Sequence, residues 1–287
     1  MKTFLTDAVR AAGDHTRIRR WRPVSGGDIN EAFFVETSEN QYFIKTRKNA
    51  PDNFFTLEAL GLDTIRKTDT IAVPEVFVVK DARKGGFLVL EWIEGRRTGR
   101  TGELLGRQLA EMHRCTGPGF GFERDNFIGL LPQKNGYYDS WIDYYRECRI
   151  LPQVKMAEQK GLMDIGLLRD TDYVLEHLDK WLPDDYPPSL LHGDLWGGNW
   201  MAGKNGQPYL IDPAVLYGHN EFELAFTELF GGFPREFYRA YREIMPVSDT
   251  YEERKPLYQL FYLLVHLNLF GRSYYPSVHQ IISRYAN

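Results

Sequence analysis

Short apolar runs separated by polar or glycine-containing turns dominate the first third of the chain. These runs lie at residues 32–37, 42–46, 73–79 and 87–93. Runs of this length between Gly, Asn and Pro residues are typical of β-strands. A short helix is predicted before them, from Phe4 to Ala12. The N-terminal part is therefore expected to form a small antiparallel sheet.

Beyond residue 95 the apolar residues follow helical spacing. Leu105, Leu109 and Met112 fall on one face of a helix predicted from Glu103 to His113. Residues 117–135 are rich in Gly and Pro and too many for a simple connection, so we expect an ordered functional loop there. Further helices are predicted at residues 141–153, 170–181, 221–230, 234–244 and 256–274. The pattern predicts an α+β protein with a larger, mainly helical C-terminal part.

A charged pair is predicted between the strand at 42–46 and the helix that Asn53 would cap. This helix has an apolar stripe that also contains Glu58. A carboxylate on an apolar face is costly unless it is paired. Lys45 lies on the face of its strand opposite Ile44 and is the available partner. A strand Lys paired with a helix Glu orients nucleotide phosphates in kinases, whereas a plain surface lysine is the alternative.

The highest density of candidate catalytic and metal-binding residues is in the central stretch from residue 189 to 223. Two strand-like segments run into Asp194 and Asp212, and Asn199 lies between them. Asn205-Gly206 is a strong signal for a two-residue hairpin turn. A hairpin with that turn would place Asn199 directly opposite Asp212.

An amide oxygen and a carboxylate at one point are suited to binding Mg²⁺, with phosphate and water as the other ligands. Asp194 would then lie beside the metal as a free base. A base, an Asn five residues later, a hairpin and an Asp form the order of a protein-kinase catalytic loop and its metal ligand. Each residue alone could be a turn former among glycines, but together, with His192 before Asp194, they favour a kinase site.

Two further segments are candidates for nucleotide contacts. Gly26 and Gly27 in the turn at 25–30 would let backbone N–H groups approach phosphate oxygens, although a plain hairpin turn is the alternative. The strand at 87–93 leads into a Gly-punctuated segment, and we expect the backbone of Glu91, Trp92 and Ile93 to face the adenine. This segment would be the hinge between an N-terminal nucleotide-binding lobe, residues 1–93, and a C-terminal catalytic and substrate-binding lobe, residues 94–287.

Composition narrows the class of protein. The chain has 287 residues, of which 43% are hydrophobic and 14% aromatic, as expected for an ordered globular protein. The net charge of −4 and the lack of a long basic run give no support for nucleic-acid or membrane binding. The N-terminus has no apolar block typical of an export signal, and only Cys115 and Cys148 are present. We therefore expect a cytoplasmic protein, either a monomer or a weak homodimer.

Longer motifs connect these residues to a known family. They include HGDLWGGN at residues 192–199, YGHNEFELA at 217–225, FGGFP at 230–234 and HLN at 266–268. With the Phe43-Ile44-Lys45 strand and Glu58, they resemble the fructosamine kinase (ketosamine-3-kinase) family. The fold of that family is similar to the two-lobed fold of protein kinases and aminoglycoside phosphotransferases.

The resemblance implies the use of ATP and Mg²⁺ to phosphorylate the 3-hydroxyl of a ketosamine. Ketosamines are sugar adducts of amines or protein lysines, such as ribulosamines, erythrulosamines and fructosamines. Their 3-phosphates break down spontaneously, which makes the reaction a deglycation step. Some relatives carry a cysteine in the Gly turn that is implicated in redox-controlled dimers. Asp28 stands there in this chain, so that regulation is not implied.

The resemblance also assigns roles by position. Asp194 corresponds to the catalytic base and Trp196 to a wall of the sugar pocket. Lys45 corresponds to the residue that orients the phosphates, with Glu58 as its partner, and Asn199 and Asp212 correspond to the metal ligands. In the last apolar helix, His266 is a candidate for sugar binding, although a hydrogen-bonded core histidine is more common.

Two other functions stay open at this point. One is a kinase of another small hydroxyl compound, such as an aminoglycoside or choline. The other is a nucleotide-binding pseudokinase that acts through partners. A pseudokinase is expected to lack the base or a metal ligand, and this chain has both.

Overall fold

The computed structural model describes residues 1–24, 30–81 and 85–286. The elements of its N-terminal part are α1 (Lys2–Ala11), β1 (Arg20–Val24), β2 (Glu31–Glu36), β3 (Gln41–Arg47), α2 (Phe54–Arg66), β4 (Val76–Lys80) and β5 (Gly86–Glu91). The five strands form an antiparallel sheet in the order β1-β2-β3-β5-β4. The strands and the two helices predicted from the apolar pattern are present.

The C-terminal part is mainly helical in the described residues and carries three small sheets. A four-stranded sheet has the order β10-β13-β6-β9, and β7-β8 and β11-β12 are separate pairs. A π-helical segment, Tyr145–Ile150, joins α4 to α5. The elements are α3 (Thr101–His113), β6 (Phe120–Phe122), β7 (Asn126–Ile128), β8 (Leu131–Gln133), β9 (Gly136–Tyr138), α4 (Trp141–Tyr144), α5 (Leu151–Gln159), α6 (Ile165–Glu176), β10 (Ser189–Leu191), β11 (Trp200–Ala202), β12 (Pro208–Leu210), β13 (Leu216–Gly218), α7 (Asn220–Leu229), α8 (Arg235–Ile244), α9 (Tyr251–Phe270) and α10 (Tyr275–Ala286).

The segment at 117–135, expected as an ordered loop, is instead built from the three short strands β6, β7 and β8. Three-residue strands are too short to produce a readable alternation. An amide network holds the β7-β8 pair: Asn126 donates to the carbonyl oxygen of Val215 at 2.9 Å, and Gln133 and Asn135 each donate to Asn126 Oδ1 at 3.1 Å.

The hydrophobic core is divided by the N-terminal sheet. One face of the sheet packs on α1 in a small cluster that includes Leu5, Ile44 and Val89. The other face carries Leu88 and Leu90, which belong with α2 to the same large cluster as the helices of the C-terminal part. Helix α2 is therefore packed into the larger core.

The cap of α2 differs from the prediction. Asn53 stands at the N-cap position with φ 61°, and its side chain makes no capping hydrogen bond. The carboxylate of Asp81 caps the helix instead, since it accepts the backbone N–H groups of Phe55 at 3.1 Å and Thr56 at 2.9 Å. The cap comes from the end of the β4 strand and not from the residue before the helix.

Residues 92–100 connect β5 to α3. The lobe boundary predicted between residues 93 and 94 lies within this connection and stays a prediction. Across its described residues, the protein has no helix with the length and apolarity needed to cross a bilayer.

Candidate active site

The predicted pair between β3 and α2 is present. Lys45 Nζ lies 2.8 Å from Glu58 Oε1 and also forms an ion pair with Asp212 Oδ1. The side chain of Lys45 is only 6% exposed, whereas that of Asp212 is 44% exposed. Burial lowers the pKa of Lys45, but the Asp212 and Glu58 carboxylates outweigh this effect and hold the pKa above its ordinary value. The ammonium group is therefore charged.

Asp194 follows β10 through a tightly held backbone. Glu223 of α7 accepts the N–H groups of His192 at 3.0 Å and Gly193 at 2.6 Å. Gly193 has φ +85°, and a Cβ there would lie 2.0 Å from the carbonyl oxygen of Ala214. Only glycine fits this position. The backbone that leads into Asp194 is thus fixed by a buried carboxylate and by a close approach of two chain segments.

His192 links the approach to Asp194 with the end of the β11-β12 hairpin. Its Nε2 donates to the carbonyl oxygen of Ile211 at 2.8 Å, and its Nδ1 accepts the N–H of Asp194 at 3.2 Å. This pattern requires a neutral ring with the proton on Nε2. Burial lowers the pKa of His192, which favours the same neutral form.

The residues that hold this loop include a buried pair that the sequence analysis missed. Glu223 Oε2 accepts from His113 Nε2 at 2.9 Å, and His113 Nδ1 lies 2.7 Å from the hydroxyl of Tyr241. Burial raises the pKa of Glu223, but its hydrogen bond and charge interaction with His113 outweigh this and lower the pKa. A signal was available, because Glu223 lies among apolar residues in α7 and a carboxylate there needs partners.

Asp194 and Asn199 are in direct contact. Asn199 Nδ2 donates to the backbone oxygen of Asp194 at 2.7 Å and to its Oδ2 at 3.0 Å. Burial and the nearby Asp212 carboxylate raise the pKa of Asp194 to about 8, although the hydrogen bond from Asn199 lowers it. A carboxylate with a raised pKa is suited to accepting a proton near neutral pH.

The hairpin register predicted from Asn205-Gly206 is wrong by one residue. Trp200 pairs with Leu210 and Ala202 with Pro208, so five residues connect the strands instead of two. Asn199 therefore lies opposite Ile211, whose N–H donates to the backbone carbonyl oxygen of Asn199 at 3.0 Å. Asp212 comes one residue later, with φ 57°, and its carboxylate pairs with Lys45.

The register shift has a tertiary cause. Residues 204–206 form a 3₁₀ turn with Asn205 at φ 58°. Thr101 at the start of α3 donates to the carbonyl oxygen of Gly206 at 2.9 Å. A Cβ on Gly95 would lie 1.9 Å from the carbonyl oxygen of Gly203. Contacts with the segment that follows β5 and with the start of α3 therefore set the shape of this loop.

The side-chain oxygens of Asn199 and Asp212 are suitable ligands for a hard cation such as Mg²⁺. The Nδ2 of the Asn199 amide donates to Asp194. The Oδ1 of this amide accepts no hydrogen bond from the described residues and could therefore bind a cation. The described residues hold no group of three or more His, Cys, Asp or Glu side chains that could bind a metal. The side-chain donors alone are thus too few for a closed metal site.

Of the other predicted nucleotide contacts, Gly26 and Gly27 lie outside the described residues. The N–H of Glu91 is already bonded to the carbonyl oxygen of Glu75 at 2.9 Å. The Trp92 ring lies 4.6 Å from the ring of Phe34, and Ile93 is buried. The hinge role of these three residues stays a prediction.

The two residues predicted to contact the sugar lie near different parts of the catalytic loop. Trp196 is 42% exposed, and its ring covers Gly198, where a Cβ would lie 2.3 Å from the indole. His266 of α9 is half-buried, and its Nδ1 donates to the carbonyl oxygen of Tyr262 at 2.7 Å. The hydroxyl of Tyr262 in turn donates to the carbonyl oxygen of Gly193 at 3.1 Å.

The two polar residues in the last long helix, His266 and Asn268, have different surroundings. His266 is surrounded by aromatic rings, with the ring centroid of Phe230 at 4.7 Å. Asn268 donates to the backbone oxygen and to the side-chain oxygen of Gln153, both at 2.9 Å. The bonds of Asn268 are internal ones that join α9 to α5, so it has a structural role.

Comparisons with known proteins identify the family of the chain. A family model described as fructosamine kinase matches residues 1–287. The chain is 39% identical over 279 residues to a chloroplastic protein-ribulosamine 3-kinase of Arabidopsis thaliana, a match that covers 95% of this chain and 84% of that one.

Solved structures are similar as well. A crystal structure described as a "putative fructosamine-3-kinase" from Thermobifida fusca superposes with a TM-score of 0.89 at 32% identity, covering 100% of this chain and 99% of that one. Aminoglycoside phosphotransferase APH(4)-Ia superposes with a TM-score of 0.62 over 98% of this chain and 97% of that one. At 18% identity this likeness shows the fold alone, and it confirms the predicted protein-kinase-like fold. The chain therefore belongs to the fructosamine kinase family and is a phosphotransferase.

Proposed function

We propose that the protein transfers the γ-phosphoryl group of ATP to the 3-hydroxyl of ketosamines. One observation carries the proposal: Lys45 contacts both Glu58 and Asp212, and Asp194 lies in contact with Asn199 beside them. Phosphoryl transfer requires mainly positioning and charge neutralisation. A charged ammonium, two oxygen donors and a carboxylate with a raised pKa supply both.

Each residue has a defined task in this proposal. Lys45, aligned by Glu58, orients the phosphates of ATP. Asn199 and Asp212 would hold Mg²⁺, which neutralises charge on the terminal phosphates when it is bound. Asp194 accepts the proton of the substrate hydroxyl, whose oxygen forms the new bond to phosphorus while the bond to the departing ADP breaks.

A ketosamine is the acceptor that we propose. The Arabidopsis relative is named a protein-ribulosamine 3-kinase, and the exposed indole of Trp196 offers a flat apolar surface on which a sugar ring can stack. The product, a 3-phosphate, would then decompose, so the proposed role is deglycation of amines or of lysines in proteins.

The protein's surroundings in the cell also remain proposals. Cys115 and Cys148 are both free thiols, which is consistent with the reducing cytoplasm in which we expect the protein to act. We expect a small-molecule ketosamine or a glycated lysine as its partner, and no nucleic acid or membrane. A monomer or a weak homodimer stays the prediction for its assembly.

The test is a panel of acceptors with ATP and Mg²⁺. Ribulose-lysine, erythrulose-lysine and fructose-lysine are compared with an aminoglycoside and with choline, and ³¹P NMR locates the phosphate on the product. We expect phosphate on the 3-oxygen of at least one ketosamine and none on the other acceptors. Phosphorylation of the aminoglycoside or choline alone would refute the proposed acceptor class, and nucleotide binding without any transfer would indicate a pseudokinase.

A further inference from the structure

Helix α2, which carries Glu58, is anchored to parts of the chain that come after residue 100. The ring of Phe54 lies 5.4 Å from that of Phe127 in β7. Just beyond the helix, the carbonyl oxygen of Ala72 accepts the N–H of Leu210 at 2.9 Å. Leu62 is fully buried in the large core. The start of the helix and the segment that follows it thus both contact the C-terminal part.

The middle of α2 touches the segment that carries Asp212. Gly61 lies one turn after Glu58, on the same side of the helix. A Cβ at Gly61 would lie 3.0 Å from Cγ of Pro213, 3.5 Å from its Cβ and 3.5 Å from Cγ1 of Val215. Even a methyl group would therefore require the Pro213 ring, the segment that carries it or the helix to move by a few tenths of an ångström.

The backbone of Gly61 gives no reason for a glycine. The residue lies inside the regular helix α2 and is absent from the residues with positive φ. Glycine is one of the least favourable residues within a helix. The close approach of Pro213 is therefore the physical reason for glycine at this position.

We propose that Gly61 is a positioning residue, which allows the carboxylates of Glu58 and Asp212 to contact the Lys45 ammonium at the same time. The proposal rests on the proposed kinase function, because it gives the pair Lys45–Glu58 its role toward ATP. Other kinases assemble this pair by moving the helix, under the control of an activation loop. Here the close approach of Gly61 to Pro213 and the shared core hold α2 where Glu58 already contacts Lys45, so this pair forms without a movement of the helix.

The test starts with Gly61→Ala. Alanine favours the helix, so we expect the melting temperature to stay the same or rise. We expect kcat/KM for ATP to fall about tenfold, because a small displacement of groups that orient a substrate is costly. KM for the ketosamine should be unchanged.

A glycine needed only for packing would predict the opposite combination, with a lowered melting temperature and intact ATP kinetics. Gly61→Val should show a larger loss.

A rescue variant and a control make the test specific. Pro213→Ala removes the Cγ atom that a Cβ at position 61 would meet, so in this background Gly61→Ala should cost less than about twofold. Gly166→Ala is the matched control: Gly166 also lies in a helix, α6, but is exposed and outside the site. It should leave the kinetics for ATP unchanged.

The affinity for Mg-ATP, measured by calorimetry without an acceptor, separates this proposal from the proposed function. A weaker affinity in Gly61→Ala, restored in the double variant, supports the positioning role even if no ketosamine is phosphorylated. Unchanged affinity and kinetics in Gly61→Ala, or an equal loss in both backgrounds, would overturn it. If Gly61→Val does not fold, the alanine variants still decide.

Discussion

The carboxylate of Glu223 accepts the backbone N–H groups of His192 and Gly193, the two residues that precede Asp194. It is also bonded to His113, and both side chains are completely buried. A buried carboxylate that loses one of its three hydrogen bonds is left with an unsatisfied charge, which is costly. The three donor groups are therefore held firmly in place. At the scale of single residues, the position of Asp194 thus depends on a carboxylate that does not touch it.

We predict that Glu223→Gln lowers turnover about 10- to 100-fold and leaves KM for ATP nearly unchanged. An amide cannot accept all three hydrogen bonds, so the loop before Asp194 loses one of its anchors. The free energy of unfolding should fall by roughly 1–3 kcal/mol. Steady-state kinetics and urea titration measure the two effects. Glu176→Gln, at an exposed position in α6, is the control, and wild-type turnover in Glu223→Gln would contradict the positioning role.

The metal assignment is also tested at single residues. Asp212→Asn keeps the size of the side chain but removes its charge, so the Mg²⁺ concentration needed for half-maximal turnover should rise at least about tenfold. Titration of Mg²⁺ at a fixed concentration of ATP measures this. Asp172→Asn at an exposed position of α6 should behave as wild type. An unchanged titration curve for Asp212→Asn would argue against a ligand role.

At the scale of elements, local patterns predicted which residues pair but not the geometry of every turn. The pairing of Lys45 with Glu58 could be predicted because a strand and a helix that follow each other leave few partners for a carboxylate. The β11-β12 register could not, because Thr101, more than 100 positions away from Gly206, helps to determine the turn. The apolar neighbours of Glu223 indicated that it needs partners, but not which ones, because they come from α3 and from the loop after β10.

Besides the apolar contacts of helix α1, a buried carboxylate just after the helix, that of Asp14, joins the chain to the sheet. Asp14 accepts hydrogen bonds from the N–H of Thr16 at 2.8 Å, from the hydroxyls of Thr16 and Thr37 at 2.6 Å, and from that of Tyr42 at 3.1 Å. Burial raises the pKa of Asp14, but these bonds together outweigh it and lower the pKa to about 2. The folded state therefore favours the ionised form.

Because the pKa of Asp14 is lower in the folded state than in the unfolded state, its ionised carboxylate stabilises the folded protein above the unfolded pKa, near 4. This stabilisation is lost as the pH falls toward about 2. We predict that Asp14→Asn is less stable than the wild type by roughly 1–2 kcal/mol at pH 7. The difference should shrink between pH 4 and pH 2. Urea titrations across this range measure it, and a difference that does not depend on pH would contradict the assignment.

At the scale of the whole molecule, the main core passes through the boundary between the predicted lobes. Leu88, Leu90 and Phe54 from the N-terminal part share one cluster with residues such as Leu109 and Phe222. The helical spacing correctly predicted the buried residues Leu105, Leu109 and Met112 of α3. The apolar pattern could not indicate that one face of the sheet belongs to a different cluster from the other, because that depends on where α1 and α2 dock.

A shared core predicts cooperative unfolding. We expect urea to unfold both parts in one transition, because separation of the lobes would expose α2 and the face of the sheet beneath it. Tryptophan fluorescence and far-ultraviolet circular dichroism should give coincident curves. Two separate transitions would show that the lobes are stabilised independently.

The central claim is that Asp194 accepts the proton of a ketosamine hydroxyl during phosphoryl transfer. Turnover of Asp194→Asn with ATP, Mg²⁺ and ribulose-lysine, compared with that of the wild type, tests it most directly. We predict a loss of about 10²- to 10⁴-fold with little change in the affinity for Mg-ATP. Turnover close to that of the wild type would contradict the assignment of the base.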